Sequence, residues 1–239
     1  MSLAGKRAVA RPVRRDEAER PFWISFSDLM TALMVLFLVA MSVALLAITD
    51  EIAETEDLKA AREADIARIM AGIEQASLDF PGVSVRGRVV DFGDRARFES
   101  NSHKLDEAQA RLLRAFVPKV LAAASDPLGE KWLKRIVVEG FADARGSYLH
   151  NLNLSLQRSE RVLCVLMAGP PAPDALSDAE RRQVRELFLV SGASFNALKA
   201  SDAESRRIEL RLEFLEIGER REPPRAQPLD GDNRCPLDH

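Results

Sequence analysis

The sequence predicts an α+β protein in which one N-terminal transmembrane helix and a helical linker precede a single soluble α/β domain. Three observations support this prediction. Residues 21–48 form a long apolar run, residues 49–80 are rich in Ala, Glu and Asp, and residues 81–218 alternate between strand-like and helix-like patterns. The flanking segments, residues 1–20 and 219–239, are predicted to be a basic cytoplasmic tail and a proline-rich tail.

The apolar run Pro21–Ile48 contains Asp28 as its one charged residue. A helix rises about 1.5 Å per residue, so this run covers roughly 40 Å, which is enough to cross a hydrocarbon layer of about 30 Å. A cleaved signal peptide is the competing interpretation, because the small residues Ala44 and Ala47 lie near the end of the run. The apolar core of a signal peptide spans only about 7–15 residues, so the length favours an uncleaved anchor.

The charges on either side of the run predict its orientation. Residues 1–20 are rich in Lys and Arg, whereas residues 49–58 carry only acidic charges. Cytoplasmic flanks of membrane helices carry the excess of Lys and Arg. The N-terminus is therefore predicted to be cytoplasmic, and everything after residue 48 is predicted to be exported, as in a single-pass membrane protein.

Asp28 is the candidate functional residue of the membrane helix. An Asp near the centre of such a helix costs about 2.5–3.5 kcal/mol, so it requires a partner, a wet cavity or protonation. Thr31, Val35 and Ser42 share its helical face, which is predicted to contact protein rather than lipid. Asp28 is expected to alternate between neutral and ionised states when ions reach it, with Thr31 beside it. The alternative is a protonated Asp28 in a static hydrogen bond between helices.

The linker and the domain are predicted from periodicity and turn residues. Residues 49–80 are expected to form a helix with Ile66, Ile69 and Ile73 on one stripe, or else a solvated spacer. A first strand before Phe92, a turn at Gly93-Asp94 and a short strand at Ala96–Phe98 should open the domain. The other predicted elements are a helix at Leu105–Ala124 closed by Pro127 and Gly129, a buried strand at Ile136–Val138, a helix capped by Ser177 and Glu180, and a strand at Ile208–Phe214.

A polar motif follows the strand that ends at Gly140. It reads GFADARGSYLHNLNLSLQR and ends at Arg158. Asp143 can accept hydrogen bonds from an ammonium group, and Arg158 can bind a carboxylate through two parallel hydrogen bonds. Asn151 can bond to peptide amides and Leu154 can pack beneath a ligand. These groups suit a zwitterionic peptide, and the alternative is an internal salt bridge between Asp143 and Arg158.

Two stretches resemble known families. The string from Trp23 to Met34, WISFSDLMTALM, resembles the membrane helix of peptidoglycan-anchored stator subunits, which include the flagellar motor protein MotB and the corresponding Zorya anti-phage defence protein. The resemblance implies an ion-carrying Asp28, a homodimer, and a surrounding ring of polytopic partner subunits of the MotA or ZorA kind. It implies transport of H+ or Na+ and no bound cofactor, and the Zorya system is the more similar one.

The motif at residues 140–158 resembles the OmpA-like peptidoglycan-binding domain, whose closing strand resembles Arg206–Leu210. The resemblance implies that Asp143 and Arg158 bind the diaminopimelate part of peptidoglycan, with His150, Asn151 and Leu154 as further contacts. Phe141 and Ala142 stand where that family usually has polar residues, so affinity or ligand choice is expected to differ. A flagellar stator subunit and a passive cell-wall tether remain the alternative functions.

The two cysteines are Cys164, in the helix after the motif, and Cys235, in the tail. An oxidising periplasm favours a disulfide between them, which would hold the tail against the domain. The alternatives are a buried Cys164 with a Cys235 that is free or bonded to another protomer.

Composition and motifs disfavour other functions. The net charge of −3 argues against direct nucleic-acid binding, which needs a basic face. The three histidines lack metal-ligand spacing, and no nucleophile-elbow, Walker or dinucleotide motif is present in the sequence. The chain is therefore not expected to be an enzyme.

Overall fold

A computed structural model describes residues 16–169, 172, 174–221 and 235–238, without the side chains of residues 16–22, 24 and 25. The predicted basic tail therefore lies largely outside the described residues, as does most of the predicted proline-rich tail. By their contacts, the residues form two compact units, Met1–Asp57 and Leu58–His239. The predicted α+β fold class is confirmed, because an apolar N-terminal helix and a domain of helices around a mixed sheet are both present.

Helix α1 comprises Asp16–Ser77 and so includes both the predicted transmembrane segment and most of the predicted linker. It is the one helix, among the residues that the structure describes, that is long and apolar enough to cross a membrane. Its side chains between Phe26 and Asp57 are exposed wherever they are described. An apolar surface of this extent needs lipid or protein around it.

The C-terminal part of α1, from Leu58 to Ser77, belongs to the second compact unit, whereas the sequence analysis placed these residues in the linker. Ile66, Ile69 and Ile73 are buried in the hydrophobic core together with Met70. Residues 58–61 are exposed, so the alternative of a solvated spacer is wrong only for the buried stripe that begins at Arg62. The isoleucine stripe was recognised, but its burial depends on partners that lie far away in the sequence.

The second unit is built on a five-stranded sheet in the order β1-β2-β5-β3-β4. The strands are β1 (Ser84–Arg86), β2 (Val89–Asp91), β3 (Leu133–Gly140), β4 (Phe188–Gly192) and β5 (Ile208–Phe214). Strands β3 and β4 are parallel, and the other neighbouring pairs are antiparallel. The central strands β3 and β5 therefore bring the ends of distant segments together, with Gly140 opposite Ile208.

Helices α2 (Glu107–Ser125), α3 (Pro127–Trp132), α4 (Tyr148–Met167), α5 (Asp178–Leu187) and α6 (Asp202–Ser205) complete the unit. The predicted capping box of α5 is confirmed, since the Ser177 hydroxyl accepts from the Glu180 N–H and the Glu180 carboxylate accepts from the Ser177 N–H. Phe116 of α2 lies edge-on to Phe80 and Phe92 in the core. The core thus lies between the sheet, α1, α2, α4 and α5.

Three local predictions are corrected. The hairpin turns between β1 and β2 at Gly87, which has a φ of +60°, rather than at Gly93-Asp94. Gly93–Ala96 is a 3₁₀ helix and Phe98 is buried outside any strand, because this stretch follows the core rather than the sheet edge. The helix predicted at Leu105–Ala124 begins at Glu107 instead, and it ends at Ser125 ahead of Pro127, as predicted. Pro127 then opens α3, since Pro is well tolerated in the first turn of a helix.

The predicted disulfide is confirmed. Cys164 of α4 is bonded to Cys235 with their Cα atoms 5.2 Å apart. Arg161, one turn earlier, donates to the Asp238 carboxylate at 2.6 Å and to the Leu237 carbonyl at 3.2 Å. Residues 235–238 are therefore held against α4 by one covalent bond and by charge-assisted hydrogen bonds.

Candidate functional site

The membrane helix presents Asp28 in a shallow groove along one face of α1. The other residues that line this groove are Thr31, Ala32, Val35, Leu36, Val39 and Ala40. The predicted grouping of Asp28, Thr31 and Val35 is thus found, whereas Ser42 does not line the groove. Small residues beside the carboxylate allow another helix to approach closely.

Thr31 is oriented by its own helix. Its hydroxyl donates to the Ser27 carbonyl at 2.7 Å. The single hydroxyl proton is therefore committed, and the oxygen of Thr31 keeps acceptor capacity toward a cation or a protonated acid. The groove residues include no basic side chain that could neutralise Asp28.

The second site begins where β3 meets α4. Gly140 ends β3 at a point where an added Cβ would lie 2.0 Å from the Ser155 carbonyl oxygen, so only glycine permits this close packing. Gly146 has a φ of +98°, and the Ser147 hydroxyl then caps α4. The glycines and the cap fix the loop that carries Asp143.

Asp143 is buried, with 5% of its surface exposed, and two arginines neutralise it. Its Oδ2 accepts from Nη1 of Arg206 at 2.9 Å and from Nη2 of Arg145 at 3.2 Å, and its Oδ1 accepts from the Arg145 backbone N–H at 3.1 Å. Burial acts to raise the pKa of Asp143, but these hydrogen bonds and the positive charges of the arginines outweigh it and hold the pKa below its usual value. Asp143 is therefore an ionised carboxylate at neutral pH.

Arg158 lies in the third turn of α4, and it is completely buried. Its guanidinium donates to three backbone carbonyls, those of Ser102 at 2.9 Å, Phe141 at 2.6 Å and Glu99 at 3.1 Å. Burial, together with the nearby charge of Arg206, lowers the pKa of Arg158 to about 10, although Asp143 opposes the shift. The guanidinium is still charged at neutral pH and joins three segments of the site.

The alternative of a salt bridge between Asp143 and Arg158 is wrong, because the carboxylate is paired with Arg145 and Arg206 instead. The sequence analysis identified neither Arg145 nor Arg206 as a partner of Asp143. Arg206 is 63 residues from Asp143, and only the pairing of β3 with β5 brings them together. Arg145 lies inside the motif, but its spacing gave no indication of its partners.

The other predicted site residues have different surroundings. Asn151 is buried and its amide donates to the Arg145 carbonyl at 2.8 Å, so it holds the loop in place. Leu154 is also buried, with 7% of its surface exposed. His150 is exposed, and its Nε2 lies 2.7 Å from Oδ1 of Asn101, a hydrogen bond that joins α4 to the loop around Ser102.

Phe141, one of the two apolar residues in the motif, has a clear structural partner. The guanidinium of Arg207 lies 3.9 Å from the centre of its ring, and Nε of Arg207 donates to Glu209 at 2.6 Å. An aromatic ring suits this position because it offers a face to a cation. Within the described part of the chain, no group of three or more His, Cys, Asp or Glu residues could hold a metal ion.

Comparison with known proteins identifies one curated relative. The Zorya protein ZorB of Escherichia coli O139:H28 (strain E24377A / ETEC) is 43% identical over 213 residues, which cover 87% of each chain. No family model matches the sequence.

Similar solved structures cover part of the chain at low identity. A putative MotB-like protein from Desulfovibrio vulgaris matches 63% of this chain and 91% of its own at 16% identity, with a TM-score of 0.42. The periplasmic domain of Helicobacter pylori MotB covers 55% and 77% at 14% identity, with a TM-score of 0.37. The OmpA-like domain of FopA1 from Francisella tularensis covers 56% and 82% at 16% identity, with a TM-score of 0.35. On the sequence identity and coverage of its curated relative, the chain belongs to the family of the Zorya protein ZorB.

Proposed function

We propose that this protein is the peptidoglycan-anchored stator subunit of an ion-driven motor in the bacterial inner membrane, and that the motor serves Zorya anti-phage defence. The observation that carries the proposal is the combination, in one chain of the ZorB family, of a carboxylate on a long apolar helix and a buried charge cluster in the second unit. A motor that does work against a rotating partner needs a stationary anchor. The two sites supply these two requirements.

Asp28 is proposed to carry H+ or Na+. An exposed carboxylate in an apolar groove is costly in lipid, and protonation or a bound cation removes its charge. The membrane potential supplies about 2.3 kcal/mol per elementary charge per 100 mV, so ion passage can drive movement. Thr31 is proposed to assist as an acceptor, because its hydroxyl proton is committed to Ser27.

The groove around Asp28 is proposed to be completed by other chains. A second copy of this helix would approach over Ala32 and Ala40, which gives a homodimer, and polytopic partner subunits of the MotA or ZorA kind would surround the pair. The basic residues before the apolar run at 21–48 and the acidic residues after it support a cytoplasmic N-terminus and a periplasmic second unit. No catalytic role is proposed.

The second unit is proposed to bind peptidoglycan at the cluster around Asp143. The disulfide of this unit suits the periplasm, where such bonds persist. Asp143 is an ionised acceptor for an ammonium group, and the arginines around it are donors for a carboxylate. The stem peptides of peptidoglycan carry both groups, so they are the proposed ligands.

The motor proposal is tested by phage protection in cells that carry the complete defence system with Asp28→Asn. The substitution keeps the shape of the side chain and removes its ionisable group, so protection should be lost while the protein stays in the membrane fraction. Asp50→Asn, an acidic residue beyond the apolar run, is the matched control and should protect fully. Full protection by Asp28→Asn would contradict the motor and favour a passive cell-wall tether. If deletion of the gene abolished swimming and left phage sensitivity unchanged, the protein would instead be a flagellar stator subunit.

Wall binding is tested by co-sedimentation of the detergent-solubilised protein with purified peptidoglycan. Asp143→Ala should stay in the supernatant, because it removes the carboxylate and leaves Arg206 without its acidic partner. Asp79→Ala, an exposed acidic residue of the same unit, should sediment like the unmodified protein. Absence of sedimentation by the unmodified protein would contradict the proposed anchor.

A further inference from the structure

A second polar cavity opens between α4, the loop before α2 and the C-terminal residues 235–238. Its volume is about 480 Å³, which lies in the range of sites for small molecules. The described residues that line it are three basic, one acidic and two apolar ones, namely His103, Lys104, Arg161, Asp238, Leu105 and Leu237. None of these residues belongs to the cluster around Asp143, so the cavity is separate from the proposed wall-binding site.

Two side chains of this cavity have buried nitrogens without a hydrogen-bond partner among the described residues. They are Nε2 of His103 and Nε of Arg161. The rest of the Arg161 guanidinium is occupied, since Nη1 donates to the Asp238 carboxylate at 2.6 Å and Nη2 donates to the Leu237 carbonyl at 3.2 Å. A buried donor without a partner costs about 1–3 kcal/mol, so an acceptor placed between these two nitrogens would be stabilised.

The charges around the cavity favour an anion. Asp238 is the one acid among the described lining residues, and Arg161 balances its charge, so the charge of Lys104 is left over. Burial lowers the pKa of His103, and three neighbouring cations, Arg161, Lys104 and Arg158, lower it further, whereas Asp238 opposes the shift. An anion beside the imidazole would favour its protonation and so add a second positive charge.

We propose that this cavity binds the phosphate group of a small phosphomonoester with an apolar substituent. A phosphate carries up to two negative charges, and its oxygens can accept from Nε of Arg161, from Lys104 and from protonated His103. The apolar part of the ligand lies against Leu105 and Leu237. Because the disulfide of Cys235 holds residues 235–238 against α4, one wall of the site exists only in the oxidised protein.

The test is calorimetric titration of the detergent-solubilised full chain with butyl phosphate, inorganic phosphate and acetate. Butyl phosphate should bind about tenfold more tightly than acetate, which corresponds to about 1.4 kcal/mol, and more tightly than inorganic phosphate, which lacks the apolar part. Lys104→Gln removes a cation without touching the contacts of residues 235–238 and should weaken binding of butyl phosphate by about fivefold. Lys119→Gln, at an exposed lysine of α2, is the matched control and should bind like the unmodified protein.

Two further variants test the roles of the imidazole and the disulfide. The affinity ratio of the unmodified protein to His103→Gln should grow by about threefold from about pH 8 to about pH 6, because the ligand itself titrates alike in both measurements. Cys164→Ser/Cys235→Ser should bind about tenfold more weakly under conditions where its circular dichroism matches that of the unmodified protein. Equal binding by Lys104→Gln and Lys119→Gln, or an affinity for butyl phosphate no greater than for acetate, would overturn the site. Equal affinities for butyl phosphate and inorganic phosphate would overturn the assignment of a phosphomonoester.

Discussion

The two acidic sites of this protein differ in how much of each site the chain itself supplies. Asp143 has its counter-ions within the same unit, since Arg206 and Arg145 both donate to it. Asp28 lies exposed in a groove whose lining includes no basic residue. The site at Asp143 has its counter-ions within the second unit, whereas the site at Asp28 is proposed to be a half-site that other chains complete.

The difference follows from the environment of each carboxylate. Asp143 is buried inside a folded unit, whereas Asp28 lies on the surface of an apolar helix. In the second unit, strand pairing brings distant arginines to a buried carboxylate, and the hydrogen bonds offset its desolvation. The residues that line the groove around Asp28 all come from α1, and none of them is basic. The proposed homodimer and ring subunits would supply partners for Asp28. Substitutions in the second unit should therefore change its stability, whereas substitutions in the groove around Asp28 should change assembly.

The largest loss of stability in the second unit is expected from removal of the disulfide. Cys164 and Cys235 are 71 residues apart, and closing a loop of that length stabilises a fold by about 4 kcal/mol in the chain-entropy account. Urea unfolding of a Cys164→Ser/Cys235→Ser variant should show a loss of this order. Reductant should destabilise the unmodified protein and leave the double variant unchanged; equal stability of the two proteins would contradict the prediction.

Loss of the buried guanidinium should be nearly as severe. Arg158→Met removes the donor shared by three backbone carbonyls, and we expect a loss of about 3 kcal/mol. The measurement is the urea midpoint of the full chain in detergent. Arg182→Met on α5 should change stability by less than about 0.5 kcal/mol. Similar midpoints for the two variants would show that Arg158 does not hold the loops together.

Substitutions in the groove around Asp28 are expected to change pairing of the helices and not the stability of the second unit. Ala32→Leu fills the groove beside Asp28 and should weaken pairing of the proposed dimer in membranes by about fivefold, or about 1 kcal/mol. The same substitution should leave unfolding of the second unit unchanged. Cross-linking in native membranes measures the pairing, and Ala44→Leu, which does not line the groove, is the control. Equal pairing by both variants would place the helix contact on another face.

The smallest expected effect concerns pH. The pKa of Asp143 is lowered in the folded state, so its contribution to stability is present above the unfolded pKa of about 3.9 and is lost as the pH falls through the folded value. The free energy of unfolding of the unmodified protein should therefore fall more steeply below about pH 4 than that of Asp143→Asn. Parallel pH profiles for the two proteins would show that the carboxylate gains nothing from its arginines.

Several features of the fold and the sites were predictable because their causes are local. The length and hydropathy of the apolar run predicted α1, and helical spacing placed Thr31 and Val35 beside Asp28. The spacing of Ser177 and Glu180 predicted a capping box. Two cysteines in a segment that was predicted to be exported indicated a disulfide.

The features that were missed depend on contacts between distant segments. Arg206 reaches Asp143 only through the register of β3 and β5, and Arg158 binds carbonyls from a loop more than 50 residues earlier. The hairpin was misplaced because both Gly87 and Gly93 have positive φ, and the sequence alone does not distinguish a hairpin turn from the start of a 3₁₀ helix. Pairing partners, rather than element types, were the information that the sequence lacked.

The central claim is that Asp28 carries ions once other chains complete its site. The most direct measurement is ion flux into liposomes that contain the purified assembly with its polytopic partner subunits, followed by a pH-sensitive or Na+-sensitive dye under an imposed membrane potential. The account predicts flux with the unmodified protein, none with Asp28→Asn, and normal flux with Asp50→Asn. Flux that is unchanged in Asp28→Asn would contradict the account.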